Sequence, residues 1–108
     1  MSTATMTMNR SLAERLGWTS IVDAGGTLLG SPPWGIPSAR GQAPVPDWAG
    51  DWKACMTLAL KYKIDVRPFE TGVAAGGAYE FYCAHPTEDA AARFAVTKAA
   101  MLLVGLAQ

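Results

Sequence analysis

Apolar residues recur at helical spacing close to the end of the chain. Pro86 precedes this segment, Thr87 is a suitable N-cap, and Glu88 and Asp89 place negative charge in the first turn, where the helix dipole favours it. The following stripe has a period of 3.6 residues and consists of Ala92, Ala95, Val96, Ala99, Leu102, Leu103 and Leu106. We therefore predict an apolar helix over residues 87–106.

Two runs before this helix show the alternation of β-strands, over residues 64–70 and 78–84. Pro68 cannot donate a backbone hydrogen bond, so the first run is predicted to be an edge strand or to end there. The second run alternates Tyr79 and Phe81 with Glu80, and one of its faces is expected to pack on the helix. Residues 71–77 contain three glycines and are predicted to form the loop of a hairpin.

The first half of the chain is less regular. A short helix is predicted from Asn9 or Ser11 to Leu16, after a flexible start over residues 1–7. A second helix is predicted to follow the N-cap Asp51 and to end near residue 62. Residues 21–22 are predicted to be a very short strand or an extended segment, and the Gly/Pro-rich stretch 23–50 to be a long loop. Because that loop carries large apolar side chains, it is either held against its own core or awaits a partner or ligand.

These elements predict a small single α+β domain over residues 8–108. Its order is α-loop-α-β-β-α, with the C-terminal apolar helix packed on a β-hairpin. A two-stranded ribbon is marginal by itself, and the apolar stripe is wider than one small sheet covers, so we expect a homo-oligomer. The alternative is a deeply buried core helix within a monomer.

Composition narrows the class of function. Of the 108 residues, 50% are hydrophobic and 17% are charged, and the formal net charge is zero. Proteins that bind DNA or RNA through a basic field need a surplus of Lys and Arg, so nucleic-acid binding is disfavoured. No apolar run approaches the roughly 20 residues of a membrane span, and no signal-peptide pattern begins the chain. The prediction is a cytoplasmic protein with no membrane partner.

Candidate catalytic groups are few. His85 is the only histidine, while Cys55 and Cys83 lack the CxxC spacing of a metal or redox site and are predicted to be small buried residues. Phosphate-binding, dinucleotide-binding and deaminase motifs are missing from the sequence. We therefore predict a protein that is not an enzyme, without metal or cofactor. A weaker alternative uses His85 and Cys83 in catalysis.

Side chains suited to binding are more plentiful. Faces able to stack on a base are provided by Trp34, Trp48, Trp52, Tyr79 and Tyr82. Guanidinium groups for an anion are provided by Arg40, Arg67 and Arg93, and exposed amides by Gly25-Gly26 and Gly76-Gly77. Together they predict a nucleotide-sized pocket beneath the long loop. The alternative is ordinary core anchoring for the aromatics and surface ion pairs for the arginines.

Several short motifs resemble a known family. They are Leu16-Gly17-Trp18, the segment Pro46-Asp47-Trp48-Ala49 before a helix, Tyr62-Lys63-Ile64-Asp65-Val66, and an Ala-rich final helix. In this order they resemble the NinX family of small accessory proteins of temperate bacteriophages, over most of residues 8–106, although the Gly/Pro-rich loop is longer here. The resemblance implies a phage product made in the host cytoplasm, and the family offers no established catalytic residues to transfer.

In that setting the leading hypothesis is a sponge, which sequesters a nucleotide-type signalling molecule of host immunity without cleaving it. The ligand would lie between subunits, held by aromatic rings, arginines and loop amides. The alternative is a protein-interaction module that inhibits a host enzyme through the apolar helix or the Trp-bearing loop.

Overall fold

The last helix is the element on which most of the others pack. In the computed structural model, which describes residues 3–33 and 42–107 and the side chains as far as residue 104, this helix, α3, spans Glu88–Ala107. Thr87 caps it as predicted, since its Oγ1 accepts a hydrogen bond of 3.0 Å from the amide of Ala90. Residues on several sides of α3 are at most 1% exposed: Ala91, Ala95, Val96, Thr97, Ala99 and Ala100. Much of the stripe is thus covered within the chain itself.

A three-stranded antiparallel sheet covers one side of α3. Its strands are β4 (Val66–Pro68), β5 (Gly72–Ala75) and β6 (Ala78–Phe81), in the order β4-β5-β6. Pro68 lies on an edge strand, as predicted. The predicted hairpin loop 71–77 is wrong, because most of it is the central strand β5, whose Val73 and Ala75 are buried beneath α3. This third strand removes one reason for expecting association between copies of the chain.

A second antiparallel sheet lies in the stretch predicted to be a loop. It comprises β1 (Thr19–Asp23), β2 (Leu28–Ser31) and β3 (Ala43–Pro44), so the predicted loop 23–50 is wrong over residues 23, 28–31 and 43–44. Gly30 packs closely here, since a β-carbon would lie 3.1 Å from Cγ1 of Ile21 and that side chain would have to shift. The large side chains Leu28, Val45 and Trp48 are buried in the core. This part of the Gly/Pro-rich stretch therefore packs against the core of the domain.

The first helix, α1, spans Thr3–Arg15 and begins earlier than predicted. Residues 3–7 are helical where the sequence indicated a flexible start, and Asn9 is not a cap but lies inside the helix, 1% exposed. Its side chain donates to Oδ1 of Asp47 at 2.7 Å and accepts from the amide of Ala49 at 2.9 Å. These long-range bonds and packing on α3 stabilise a start whose own helix propensity is low.

The middle helix, α2, spans Trp52–Tyr62 and confirms both predicted ends. Asp51 caps it through a hydrogen bond of 3.3 Å from the amide of Ala54, and Lys63 ends it in the left-handed conformation. Across residues 3–33 and 42–107 the chain therefore has three α-helices and two three-stranded antiparallel sheets, which confirms the α+β class. No helix in these two ranges is both long enough and apolar enough to cross a membrane.

Candidate functional site

The orientation of β6 is unusual, because its polar residue faces the helix. Glu80 is 13% exposed, and its carboxylate accepts from Nζ of Lys98 at 2.6 Å and pairs with Nε2 of His85 at 2.7 Å. Burial would raise the pKa of Glu80, but the hydrogen bonds from Lys98 and His85 outweigh it, so the pKa lies below its ordinary value. An ionised Glu80 thus fixes β6 to α3.

Because successive side chains of a strand point to opposite faces, the neighbours of Glu80 face solvent. Tyr79 is 38% exposed and Phe81 is 57% exposed. Phe69, which follows β4, joins them and is 54% exposed. The ring centroids of Tyr79 and Phe81 are 5.0 Å apart, and those of Phe69 and Tyr79 are 6.3 Å apart. Three aromatic rings therefore form one contiguous, solvent-facing group.

The central strand supplies a floor of small residues beside these rings. Gly72 pairs with Phe81 and Ala74 with Tyr79 across the sheet. A β-carbon at position 72 would lie 2.6 Å from the hydroxyl oxygen of Tyr79, so glycine is what allows that ring to lie over β5. The same hydroxyl is hydrogen-bonded to Oγ1 of Thr71 at 3.0 Å. The Tyr79 ring is thereby held in place before any ligand arrives.

A guanidinium group borders the rings. Arg67 of β4 pairs with Ala74, which brings it to the same row of the sheet as Tyr79. Its Nε donates to Oδ2 of Asp65 at 2.7 Å, and both side chains are about two-thirds or more exposed, at 73% and 66%. A shallow cavity of about 360 Å³ lies here, lined by Asp65, Arg67, Phe69, Ala74 and Gly76. We name as the aromatic face the set Arg67, Phe69, Gly72, Ala74, Tyr79 and Phe81.

Of the residues predicted to bind a ligand, the structure brings Arg67 and Tyr79 together on this face. Trp48 is buried at 5% exposure and Tyr82 packs against the core, so both fit the core-anchoring alternative. Trp52 is half-buried and lies against the guanidinium of Arg93, 5.7 Å from ring centroid to Cζ. Trp34 and Arg40 lie outside the described residues.

The diglycine Gly25-Gly26 does not join this group. It forms the turn between β1 and β2 of the other sheet, and the amide of Gly26 donates to Oδ1 of Asp23 at 2.8 Å. That amide is already engaged in a hydrogen bond and is not available to a phosphate. The face instead contains Phe69 and Phe81, which sequence reasoning did not select. The alternation of aromatic residues with Glu80 indicated that the aromatic rings share one face of the strand, but it does not reveal which face is buried.

The cysteines differ from each other. Cys55 is buried as predicted, whereas Cys83 is exposed, which makes the prediction wrong for that residue. The 3-10 turn Tyr82–Ala84 ends the strand alternation before Cys83, so the residue does not continue an inward face. Burial raises the pKa of the Cys55 thiol to about 11, partly offset by Arg93 and reinforced by Asp51. Among the residues that the structure describes, no three His, Cys, Asp or Glu side chains cluster as a metal site would require.

Comparison with known proteins identifies no relative of this chain. Neither the protein-family models, nor the curated proteins, nor the solved structures contain a significant match to the chain. The resemblance to the NinX family therefore stays a prediction that depends on the short motifs quoted above. The site is defined by its own geometry: three exposed rings, a floor of small residues and one accessible guanidinium.

Proposed function

We propose that this protein is a non-enzymatic binder of a nucleotide-type ligand, which it holds on the aromatic face. The observation that supports this most strongly is the placement of Phe69, Tyr79 and Phe81 in solvent while Glu80 faces the helix. A fold built only for stability would bury such rings, since each fully buried Phe contributes roughly 1.5–3 kcal/mol. Exposed rings on a sheet are suited to stacking on bases, which contributes about 1–3 kcal/mol per base.

Arg67 supplies the complementary charge for a phosphate. Its ion pair with Asp65 is highly exposed, and such surface pairs contribute only about 0–1 kcal/mol. A phosphate accepts two parallel hydrogen bonds from a guanidinium and is therefore a competitive partner. One stacked base at about 1–3 kcal/mol and one charge-assisted contact at about 1.5–3 kcal/mol on an open face support affinity on the order of millimolar. Enclosure between two copies of the chain, as in the predicted homo-oligomer, would raise it.

The biological role that we propose is sequestration of a nucleotide-type signal of host immunity in the host cytoplasm. What supports it is the resemblance to NinX accessory proteins of phages, together with the absence of catalytic motifs from the sequence. A sponge needs tight, reversible binding and leaves its ligand intact. An enzyme acting on the same signals would release an altered product.

The test is calorimetric titration of the chain with a panel of cyclic nucleotides and ADP-ribose derivatives. Phe81→Thr and Arg67→Ala are each expected to weaken binding at least tenfold, because one removes a stacking ring and the other the phosphate contact. Lys53→Ala, which removes an exposed cation on α2, is the matched control and is expected to bind normally. Absence of heat for every ligand would reject the proposal. Recovery of cleaved ligand after denaturation would indicate the enzymatic alternative instead.

The alternative of a protein-interaction module has one observation in its favour. Leu102 and Leu103 near the end of α3 are 52% and 38% exposed, so part of the apolar stripe is not covered by the chain. Leu102→Lys should abolish capture of a host protein in that case and leave nucleotide binding unchanged. If nucleotides fail to bind and the capture depends on Leu102, the interaction module replaces the binder.

A further inference from the structure

A second cavity lies on the helix side of the domain and shares no lining residue with the aromatic face. It has a volume of about 340 Å³ and lies among the first turn of α1, residues 49–50, residues 84–86 and α3. We propose that it is a binding site for a small organic oxyanion, a carboxylate or phosphate monoester with a flat apolar body. The side chain that would bind the oxyanion is Arg93.

Arg93 is held in a fixed orientation before any ligand binds. Its Nε donates to the carbonyl of Ala49 at 3.2 Å, and its guanidinium lies 5.7 Å from the centroid of the Trp52 ring. Within residues 3–33 and 42–107 its two terminal nitrogens make no hydrogen bond or ion pair. A guanidinium that is anchored at Nε and stacked on a ring keeps its terminal nitrogens for a planar oxyanion.

The charge within the lining of the cavity favours an anion, since Arg93 is its one permanently charged residue. None of its lining residues is acidic. Of the nearby carboxylates, that of Glu80 is paired with Lys98 and His85, and that of Asp47, beside Gly50, accepts a hydrogen bond from Asn9. The first turn of α1 borders the cavity, and the positive end of its helix dipole lies there, whereas the dipole of α3 is already countered by Glu88 and Asp89. The acidic residues of the first turn of α3, Glu88 and Asp89, are exposed and do not line the cavity.

Apart from Thr5 and His85, the other side chains that line the cavity are apolar, and they specify the body of the ligand. Phe94 is 8% exposed, and its ring lies 4.6 Å from that of His85, centroid to centroid. Pro86 and Ala90 extend this wall. A fully polar anion such as inorganic phosphate would gain nothing from these contacts. A ring or short apolar chain attached to the oxyanion would bury surface at roughly 25 cal/mol per Å².

The experiment is a titration of the full chain, followed by NMR, with phenyl phosphate, benzoate and inorganic phosphate. At least one of the two aromatic anions is expected to bind, at least tenfold more tightly than inorganic phosphate. The stronger of the two identifies the oxyanion as a phosphate monoester or a carboxylate. Failure of both at millimolar concentration, or equal binding of inorganic phosphate, would overturn the proposal.

Variants separate this site from the aromatic face. Arg93→Gln is expected to weaken binding of the aromatic anion at least tenfold. Arg93→Lys is expected to weaken it less, because lysine keeps the charge but lacks the planar guanidinium group. Arg67→Ala removes only binding at the aromatic face, so it should leave unchanged the binding component that Arg93→Gln removes. Ala84→Leu fills the cavity from its exposed rim without altering Arg93 and should also weaken binding of the aromatic anion. It therefore tests the site even if the Arg93 variants unfold. Unchanged affinity in Ala84→Leu and in a folded Arg93→Gln protein would contradict the site.

Discussion

Replacing Glu80 by glutamine tests what fixes the orientation of β6. The carboxylate is 13% exposed and accepts two hydrogen bonds, from Lys98 and His85. Hydrogen bonds to charged groups contribute about 1.5–3 kcal/mol, but Lys98 is 44% exposed and can turn to water, which discounts its share. Glutamine retains the shape and one acceptor oxygen. We expect Glu80→Gln to lower the free energy of unfolding at pH 7 by about 2 kcal/mol.

The stability difference between the wild type and Glu80→Gln should depend on pH. The pKa of Glu80 in the folded chain is lower than the ordinary value of 4.5, so the ionised form is the one that folding favours. Its contribution to stability is complete above pH 4.5 and is lost as the pH falls through the folded pKa. Glutamine does not titrate. The difference in stability between the wild type and Glu80→Gln should therefore shrink in acid.

Urea unfolding at pH 7 and pH 2.5 provides the measurement. With a slope of about 1–1.5 kcal/mol per molar for a chain of this size, 2 kcal/mol corresponds to a midpoint lower by about 1.5 M. At pH 2.5 the two midpoints should differ by less than half as much. Glu70→Gln, at an exposed position, is the control and should unfold like the wild type. Equal midpoints at pH 7, or an undiminished difference in acid, would refute the role assigned to Glu80.

Further predictions concern the caps, the core and the exposed face. Asn9→Ala should lower the free energy of unfolding by about 2–3 kcal/mol in thermal denaturation, because it removes two hydrogen bonds at a site that is 1% exposed. Asp51→Ala should cost about 1 kcal/mol and Asp51→Asn much less, measured by urea unfolding followed by circular dichroism. Phe81→Thr should change stability by less than about 1 kcal/mol by scanning calorimetry, since the ring is 57% exposed, while it weakens ligand binding at least tenfold. Iodoacetamide at pH 8 should modify Cys83 in the native protein and Cys55 only after unfolding, because burial raises the pKa of the Cys55 thiol to about 11, and peptide mass spectrometry would distinguish the two sites.

The elements predicted correctly are those with a local signal. Thr87 and Asp51 cap their helices by accepting hydrogen bonds from the amides three residues later. The apolar residues at helical spacing that follow each cap made it recognisable in the sequence. Pro68 marks an edge strand because a missing donor is a property of the residue itself. The α+β class followed from these elements.

The elements that were missed depend on tertiary contacts. The strand β5 consists of small residues without clear alternation, and only their packing under α3 explains them. The start of α1 is stabilised by Asn9, whose partners are 38 and 40 residues away in the chain. For the site, Tyr79 and Arg67 could be selected by residue type. Phe81 faces solvent because Glu80 faces α3, where it pairs with Lys98 and His85, and sequence spacing does not reveal those partners.

The most direct test of the binding proposal is an aromatic proton–carbon NMR titration of the chain with the nucleotide that gives the largest calorimetric signal. Stacking of a base should shift the ring signals of Phe69, Tyr79 and Phe81 together, along one saturable curve, and leave those of the buried Trp48 in place. The same curve should weaken in Arg67→Ala. A nucleotide that binds while these three rings keep their shifts would contradict the assignment of the aromatic face as the ligand site.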